Sequence, residues 1–132
     1  MKRAEGFHGF PEEGLQFLED LKQNNNREWF QAHKELYTEY VLRPAQEFVV
    51  ALGEGLQSVS DGIAYGNQAN GTGSILRIYR DLRFTKDKTP YKTHVGLFFW
   101  EGRRKKMENP GYYLHIEPSG GTLYAGMYRF TK

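Results

Sequence analysis

The sequence predicts an α+β domain in which N-terminal helices pack on a C-terminal antiparallel sheet. Apolar residues as far as Leu56 recur at the three- and four-residue spacing of a helix face. From Ser74 onward, branched and aromatic residues form short segments bounded by turn formers, which is typical of strands. Because the helices come first and the strands follow, the two kinds of element are segregated along the chain, as in α+β domains.

Two helices are predicted before residue 43. The first runs from Pro11 to about Asn24, with Pro11 suited to the first helical position. Asn24, Asn25 and Asn26 then offer N-caps for the second helix, and Asn25 and Glu28 have the spacing of a capping box. The residues that this second helix carries are Trp29, Phe30, His33, Leu36, Tyr37 and Tyr40.

Pro44 marks the start of a third helix, which runs to about Leu56. A residue that precedes proline is disfavoured in the helical region of backbone conformation. We therefore expect Arg43 to interrupt the helical pattern. The connection from Gln57 to Gly73 is rich in Ser, Asn, Gly and Asp, so we expect it to be irregular, with one short extended piece around residues 63–65.

Four strands are predicted after Ser74. Ser119 to Gly121 offers a tight hairpin between the last two, and residues 101–110 a longer, basic connection. Antiparallel neighbours can be joined by connections this short. The predicted strands are Ile75–Phe84, His94–Trp100, Gly111–Glu117 and Thr122–Phe130.

Alternation along the first predicted strand separates a core face from a working face. The core set is Leu76, Ile78, Arg80, Leu82 and Phe84; the working set is Ile75, Arg77, Tyr79, Asp81 and Arg83. Arg80 is anomalous among apolar neighbours, because a buried guanidinium needs a carboxylate, a ligand oxygen or a bulge that turns it outward. An acidic side chain is the common solution.

Length and composition exclude several classes of protein. With 132 residues we expect one domain over residues 1–132, and the helix-capping Thr131 beside the last residue predicts that it is the N-terminal part of a longer domain. The absence of cysteine excludes thiolate catalysis, zinc–thiolate sites and a disulfide scaffold. Mean hydropathy is −0.71, and neither a membrane span nor a secretory signal is visible, so we expect a cytoplasmic protein without a membrane partner.

The net charge of +2 hides an uneven distribution. Residues 1–73 hold 6 Lys/Arg against 11 Asp/Glu, a net of −5, whereas residues 74–132 hold 12 against 5, a net of +7. Such asymmetry is typical of proteins with an anionic partner. The alternative is that the two halves neutralise each other when packed.

The densest basic stretch continues into a loop that Pro90 shapes. Arginine offers a planar fork matched to phosphate, and lysines and threonine hydroxyls beside it suit an oxyanion. The alternative is a solvated loop whose lysines prevent the sheet edge from pairing with other chains. The candidate ligand-binding residues are Arg77, Arg80, Arg83, Lys86, Lys88 and Lys92.

Acid/base and metal chemistry have fewer candidates. Asp81, Asp87 and His115 are the candidate catalytic residues. His115 and Glu117 lie two apart on one predicted strand and therefore face the same way, so with His94 they are candidate metal ligands or an acid/base pair. The more common arrangement is a histidine hydrogen-bonded to Glu117 or to a tyrosine, and neither a metal nor a cofactor is assigned.

The sequence resembles an uncharacterised family, domain of unknown function 2461. The resemblance covers nearly the whole chain and lies on Asn26–Phe30, Arg77–His94, Pro110–Pro118 and Ala125–Tyr128. The family has no assigned activity, so the resemblance implies no function. It does place the family signature on the basic stretch, and it implies that members continue beyond Lys132.

Three hypotheses about function stay open at this point. The first is a binding module that holds a phosphate-bearing ligand, either a nucleotide or a nucleic acid, on the basic strand-loop face. The second is a hydrolase or transferase that acts on a phosphorylated substrate. The third is a structural role without a ligand, in which the basic stretch joins the sheet to the acidic helices.

Overall fold

The helices precede the sheet along the chain, which confirms the predicted α+β class. The computed structural model describes residues 10–102, 106 and 109–127. Among these residues, no helix has the length and apolar character that crossing a membrane requires. The helices are α1 (Glu12–Gln23), α2 (Arg27–Ala32), α3 (Lys34–Tyr37) and α4 (Arg43–Gln57), with a π-helical turn at Thr38–Leu42. The strands are β1 (Ile63–Ala64), β2 (Val95–Glu101), β3 (Pro110–Glu117) and β4 (Gly120–Met127).

The sheet is an antiparallel meander with the strand order β1-β2-β3-β4. Glu117 pairs with Gly120, so a two-residue turn joins β3 to β4. The helices cover one face of the sheet, because alternate residues of β2 and β3 enter the same buried cluster as α1 and α4. Members of that cluster from the sheet are Val95, Leu97, Phe99 and Ile116; those from α1 and α4 are Phe17, Leu18, Leu21, Ala45 and Val49.

The prediction of a strand over Ile75–Phe84 is wrong, and the short β1 takes its place in the sheet. The segment touches the sheet through an isolated bridge between Ile75 and Leu97 and then leaves the edge. The predicted faces fail with it, since Ile75 is 4% exposed and Phe84 is 90% exposed. Buried Ile75 and Ile78 are three residues apart, so the segment lacks the two-residue alternation of a strand.

The predicted interruption at Arg43 is also wrong. Arg43 has helical backbone angles, φ −63° and ψ −46°, and its N–H donates to the carbonyl of Thr38 five residues earlier. This wider π-turn leads directly into α4, whose second residue is Pro44. Proline has no N–H for the carbonyl four residues earlier, and a π-turn is one way in which a helix accommodates that loss.

Gly14 lets α1 approach the π-helical turn backbone to backbone. A Cβ added at Gly14 would overlap the carbonyl oxygen of Tyr40. The oxygen belongs to the main chain, so it cannot move aside as a flexible side chain could. Glycine is therefore required here by the close packing of two helical segments.

Replacing Gly14 by alanine is expected to destabilise the protein by about 1–3 kcal/mol, because the new methyl group displaces the π-helical turn. The matched control is Gly55→Ala in α4, where an added Cβ meets nothing within 4 Å. There the higher helix propensity of alanine should stabilise by about 0.5–1 kcal/mol. Urea denaturation measures both variants, and equal stability of the two would contradict the close approach at Gly14.

Candidate functional site

Two hydrogen bonds tie Asn25, in the connection between α1 and α2, to the segment that precedes β2. Asn25 Nδ2 donates to the carbonyl of Tyr91 at 2.9 Å, and the N–H of Tyr91 donates to Asn25 Oδ1 at 3.0 Å. The ring of Tyr91, which is 1% exposed, stacks on Phe30 with centroids 4.3 Å apart. Asn25 therefore fastens this segment to α2. The predicted capping box is wrong, because the cap of α2 is Asn26, which accepts from Trp29 N–H at 2.8 Å.

Tyr91 lies in a small two-stranded ribbon that carries the basic residues. The N–H of Arg80 donates to the carbonyl of Pro90 at 2.9 Å, and the N–H of Lys92 donates to that of Ile78 at 2.7 Å. Tyr79 and Tyr91 form the bridge between these two bonds. Residues 81–89 form the loop at the end of this ribbon, and we call them the tip loop.

The guanidinium of Arg80 binds groups of the tip loop and so stabilises its conformation. Its Nη1 donates to Thr89 Oγ1 at 2.6 Å and to the Thr89 carbonyl at 3.0 Å, and it lies 3.4 Å from Asp87 Oδ2. Asp87 is thus the carboxylate that Arg80 was expected to need. The pKa of Asp87 is lowered, mainly by the hydrogen bond from the N–H of Thr89 and less by Arg80. In the described part of the chain, Nε and Nη2 of Arg80 have no hydrogen-bond partner.

Arginines from separate parts of the chain line one cavity of about 440 Å³. Arg27 comes from the first position of α2, whereas Arg77 and Arg80 come from the ribbon and the residues before it. The guanidinium of Arg77 lies 5.3 Å from the centre of the Tyr79 ring. We call this cavity the cationic cleft; its other lining residues are Tyr79, Asp81, Leu82 and Pro90.

The carboxylate of the cationic cleft is already bound. Arg83 Nη2 donates to Asp81 Oδ2 at 2.8 Å, and Arg83 Nε donates to Oδ1 at 3.0 Å. These hydrogen bonds lower the pKa of Asp81 to about 2. Arg27 and Arg77, by contrast, form no ion pair with any residue that the structure describes. The cleft therefore keeps positive charge that its own protein groups do not neutralise.

Lys92 extends this positive region toward β2. It is half-buried, and its pKa is lowered first by burial and then by the positive charge of Arg77. The other two lysines have different positions: Lys88 Nζ donates to the carbonyl of Leu82 at 2.6 Å, which closes the tip loop, and Lys86 is exposed. Of the six predicted ligand residues, Arg77 and Arg80 line the cleft, and Lys92 lies near enough for the charge of Arg77 to affect its pKa after burial. Arg83 and Lys88 bind groups of the tip loop itself.

A lysine from the connection between β2 and β3 supports Arg77. Lys106 Nζ donates to the carbonyls of Gly71 and Gly73 at 2.9 and 2.8 Å, and burial lowers its pKa. Gly71 has a φ of +86°, and a Cβ built there would lie 2.5 Å from Cγ of Arg77. The aliphatic stem of Arg77 therefore packs directly on a loop that Lys106 holds.

The histidines form a second cluster, on the sheet. His115 Nε2 lies 3.7 Å from Glu117 Oε1, and His115 Nδ1 lies 3.3 Å from the hydroxyl of Tyr113. His94 stacks on His115 with ring centroids 4.1 Å apart. Burial, the charge of His115 and the charge of Lys92 together lower the pKa of His94 to about 4.

This cluster has the protein partners expected of a structural histidine. Within residues 10–102, 106 and 109–127, no group of three His, Cys, Asp or Glu side chains is arranged to hold a metal ion. The catalytic roles of Asp81, Asp87 and His115 stay predictions. Asp81 and His115 lie in different clusters, one in the cationic cleft and one on the sheet.

The charge pattern along the chain did not identify Arg27 as part of the site. Arg27 is fifty residues before Arg77 in the sequence, and it reaches the cleft because Asn25 fastens α2 to the ribbon. One sequence signal does include it, namely the segment Asn26–Phe30 that carries part of the family resemblance. That segment supplies the cap, the arginine and the ring that stacks on Tyr91.

Arg80→Met is expected to lower the free energy of unfolding by about 1–3 kcal/mol, because Thr89 and Asp87 lose their common donor. Arg83→Met is the matched control, since the Arg83 side chain is 76% exposed and binds Asp81 at the surface. Thermal melting compares the two variants. Indistinguishable melting temperatures would contradict the role of Arg80 in holding the tip loop.

His94 is expected to make the folded state less stable as the pH falls from 6.5 toward 4. Its pKa is about 4 in the folded protein against an ordinary 6.5, so the unfolded chain takes up the proton first. The contribution of neutral His94 to folding stability is complete above pH 6.5 and is lost between pH 6.5 and pH 4. Melting temperatures across this pH range should fall more steeply for the wild type than for His94→Gln. An imidazole resonance of His94 that titrates near 6.5 would contradict the assignment.

The comparison with known families agrees with the resemblance seen in the motifs. Residues 13–132 match the family described as conserved hypothetical protein, DUF2461. The match spans α1, the cationic cleft and the whole sheet. No curated protein and no solved structure matches the chain. The chain therefore belongs to DUF2461, a family of conserved hypothetical proteins.

Proposed function

We propose that this protein is a binding module for a phosphate-bearing ligand, a nucleotide or a nucleic acid, and that the cationic cleft holds the phosphate. One observation carries the proposal. Arg27, Arg77 and Arg80 line a single cavity whose carboxylate, Asp81, is already bound by Arg83. An anion that enters the cleft therefore meets three guanidinium groups, of which two have no ion pair among the described residues.

The chemistry of arginine favours phosphate over other anions in such a cavity. A guanidinium presents parallel N–H groups at a spacing that matches two phosphate oxygens. Arg80 uses Nη1 for the tip loop, which leaves Nε and Nη2 as donors in the described structure. Arg80 thus fixes the tip loop with one nitrogen and offers two others to a ligand.

The lowered pKa of Lys92 supports the same proposal. Burial is the larger cause of that shift, and the positive charge of Arg77 adds to it, so the two cations repel each other in the unliganded protein. A bound phosphate would relieve this repulsion and would favour the protonated form of Lys92. Binding is therefore expected to raise the pKa of Lys92 toward its ordinary value of 10.5.

Neither alternative has an observation that favours it over binding. Asp81, a candidate acid or base, has a pKa of about 2 and is paired with Arg83, so it stays ionised at neutral pH. The structural role of the basic segment applies to Arg80 and Lys88, which hold the tip loop. It does not account for Arg27 and Arg77, whose guanidinium groups make no ion pair in the described part of the chain.

Arg27→Gln and Arg77→Gln are each expected to weaken the binding of pyrophosphate by about tenfold or more, the cost of one charged hydrogen-bonding group. Isothermal titration calorimetry of the whole chain with sodium pyrophosphate and with ATP measures this loss. Arg43→Gln is the matched control, because the exposed Arg43 pairs with Glu39 on the helices and is not among the residues that line the cleft. Its affinity should stay within about twofold of wild type.

Melting temperatures separate a lost contact from a lost fold. The side chains of Arg27 and Arg77 make no hydrogen bond or ion pair to a described residue, so both variants should stay folded, and Arg77→Gln should lose only its contact with the Tyr79 ring, about 0.5–1 kcal/mol. If both variants stay folded and still bind pyrophosphate as tightly as the wild type, the cleft is not the phosphate site. Absence of any pyrophosphate or ATP binding by the wild type at low salt would reject the proposed function.

A further inference from the structure

The sheet has a second face, which the helices do not cover. On β3 its residues alternate with Leu114 and Ile116, which face the core, and on this face Tyr113 pairs directly with Tyr124 of β4. The two rings are stacked with centroids 5.9 Å apart and an angle of 29°. Tyr124 is 55% exposed, so one aromatic surface of this pair is open to a partner.

Ring contacts lead from these tyrosines toward the cationic cleft as far as His94. Tyr113 contacts His115 edge to face at 6.2 Å, and His115 stacks on His94. His94 is two residues after Lys92, whose positive charge helps to lower the pKa of His94. The pKa of Lys92 is in turn lowered by burial and by the positive charge of Arg77, which lines the cleft. We call this series the aromatic row; its members are Lys92, His94, His115, Tyr113 and Tyr124.

The charge of this face suits a polyanion. Among the described strand residues whose side chains lie on it, Glu117 is the one carboxylate, and it lies 3.7 Å from His115. The positive groups of the cleft lie toward one end of the row, and the exposed ring of Tyr124 lies at the other. Positive groups that follow a backbone, combined with rings on which bases stack, are the features with which proteins bind single strands.

We propose that the ligand of the cationic cleft is a single-stranded nucleic acid, whose phosphates bind Arg77 and Lys92 while its bases stack along the aromatic row as far as Tyr124. This inference rests on the proposed function, because the cleft must first bind phosphate. A single strand is required, since the bases of a duplex stack on one another and cannot offer their faces to tyrosine. No base-specific hydrogen bond is part of the arrangement, so binding is expected to tolerate many sequences.

The length of the strand provides the first measurement. Fluorescein-labelled oligo(dT) is titrated with the whole chain at constant salt and followed by fluorescence anisotropy, from the dinucleotide to about twelve nucleotides. Affinity should rise with length and reach a plateau once the strand extends from the cleft to Tyr124. A duplex of the same length should bind more weakly than the single strand.

The second measurement separates stacking from phosphate binding. Tyr124→Ala is expected to weaken the binding of an oligo(dT) of about eight nucleotides by about tenfold, while the affinity for pyrophosphate stays unchanged. Leu123→Ala is the matched control. It is the adjacent residue, 59% exposed, and lies on the opposite face of the same strand, paired with Leu114. It should leave both affinities unchanged.

The outcomes distinguish this inference from the proposed function. If pyrophosphate binds and depends on Arg77, but Tyr124→Ala binds the long oligonucleotide as tightly as wild type, the aromatic row is not a stacking surface and only the inference fails. The same holds if the duplex binds as tightly as the single strand, or if affinity does not rise beyond the dinucleotide. If the wild type binds neither pyrophosphate nor oligonucleotide, both proposals fail together.

Discussion

The reciprocal pair of hydrogen bonds between Asn25 and Tyr91 is the constraint on which the cleft depends. The side-chain amide of Asn25 makes the hydrogen bonds that a neighbouring strand would otherwise make. It accepts from the N–H of Tyr91 and donates to the carbonyl of Tyr91. With the stack of Tyr91 on Phe30, it fixes the ribbon against α2. Without this attachment, no contact among the described residues would hold Arg27 beside the arginines of the ribbon, and they would not line one cavity. The concentration of positive charge in the cleft therefore depends on the uncharged contact between Asn25 and Tyr91.

The arginines in and beside the cleft differ in their partners. Arg80 and Arg83 each bind a carboxylate of the tip loop, Asp87 and Asp81 respectively. Those pairs neutralise the acidic groups that would otherwise compete with a ligand. Charge that remains is concentrated on Arg27 and Arg77. Within the cleft, Arg27 and Arg77 keep positive charge because Asp81, the carboxylate beside them, has Arg83 as its partner.

The sequence predicted the elements whose residues make their contacts nearby in the chain. The spacing of Phe17, Leu18 and Leu21 predicted α1, and the three long strands lie within one to three residues of their predicted starts. The segment Ile75–Phe84 was predicted wrongly because apolar alternation cannot show whether a partner strand is present; the segment forms two isolated bridges, Ile75 with Leu97 and Tyr79 with Tyr91, and no continuous strand pairing. Arg27 was not predicted as a site residue, since its place is set by the contact between Asn25 and Tyr91, sixty-six residues apart. Local patterns carry no signal for such a contact.

The packing of Arg77 on Gly71 also affects the entropy of binding. A long, exposed arginine normally loses about 1.5–2 kcal/mol of rotamer freedom when a ligand fixes it. The stem of Arg77 already lies against a loop that Lys106 closes, so part of that freedom is absent before a ligand arrives. More of the electrostatic attraction is then retained as affinity. If the cleft binds the proposed ligand, Lys106, in the connection between β2 and β3, would contribute to affinity without touching that ligand.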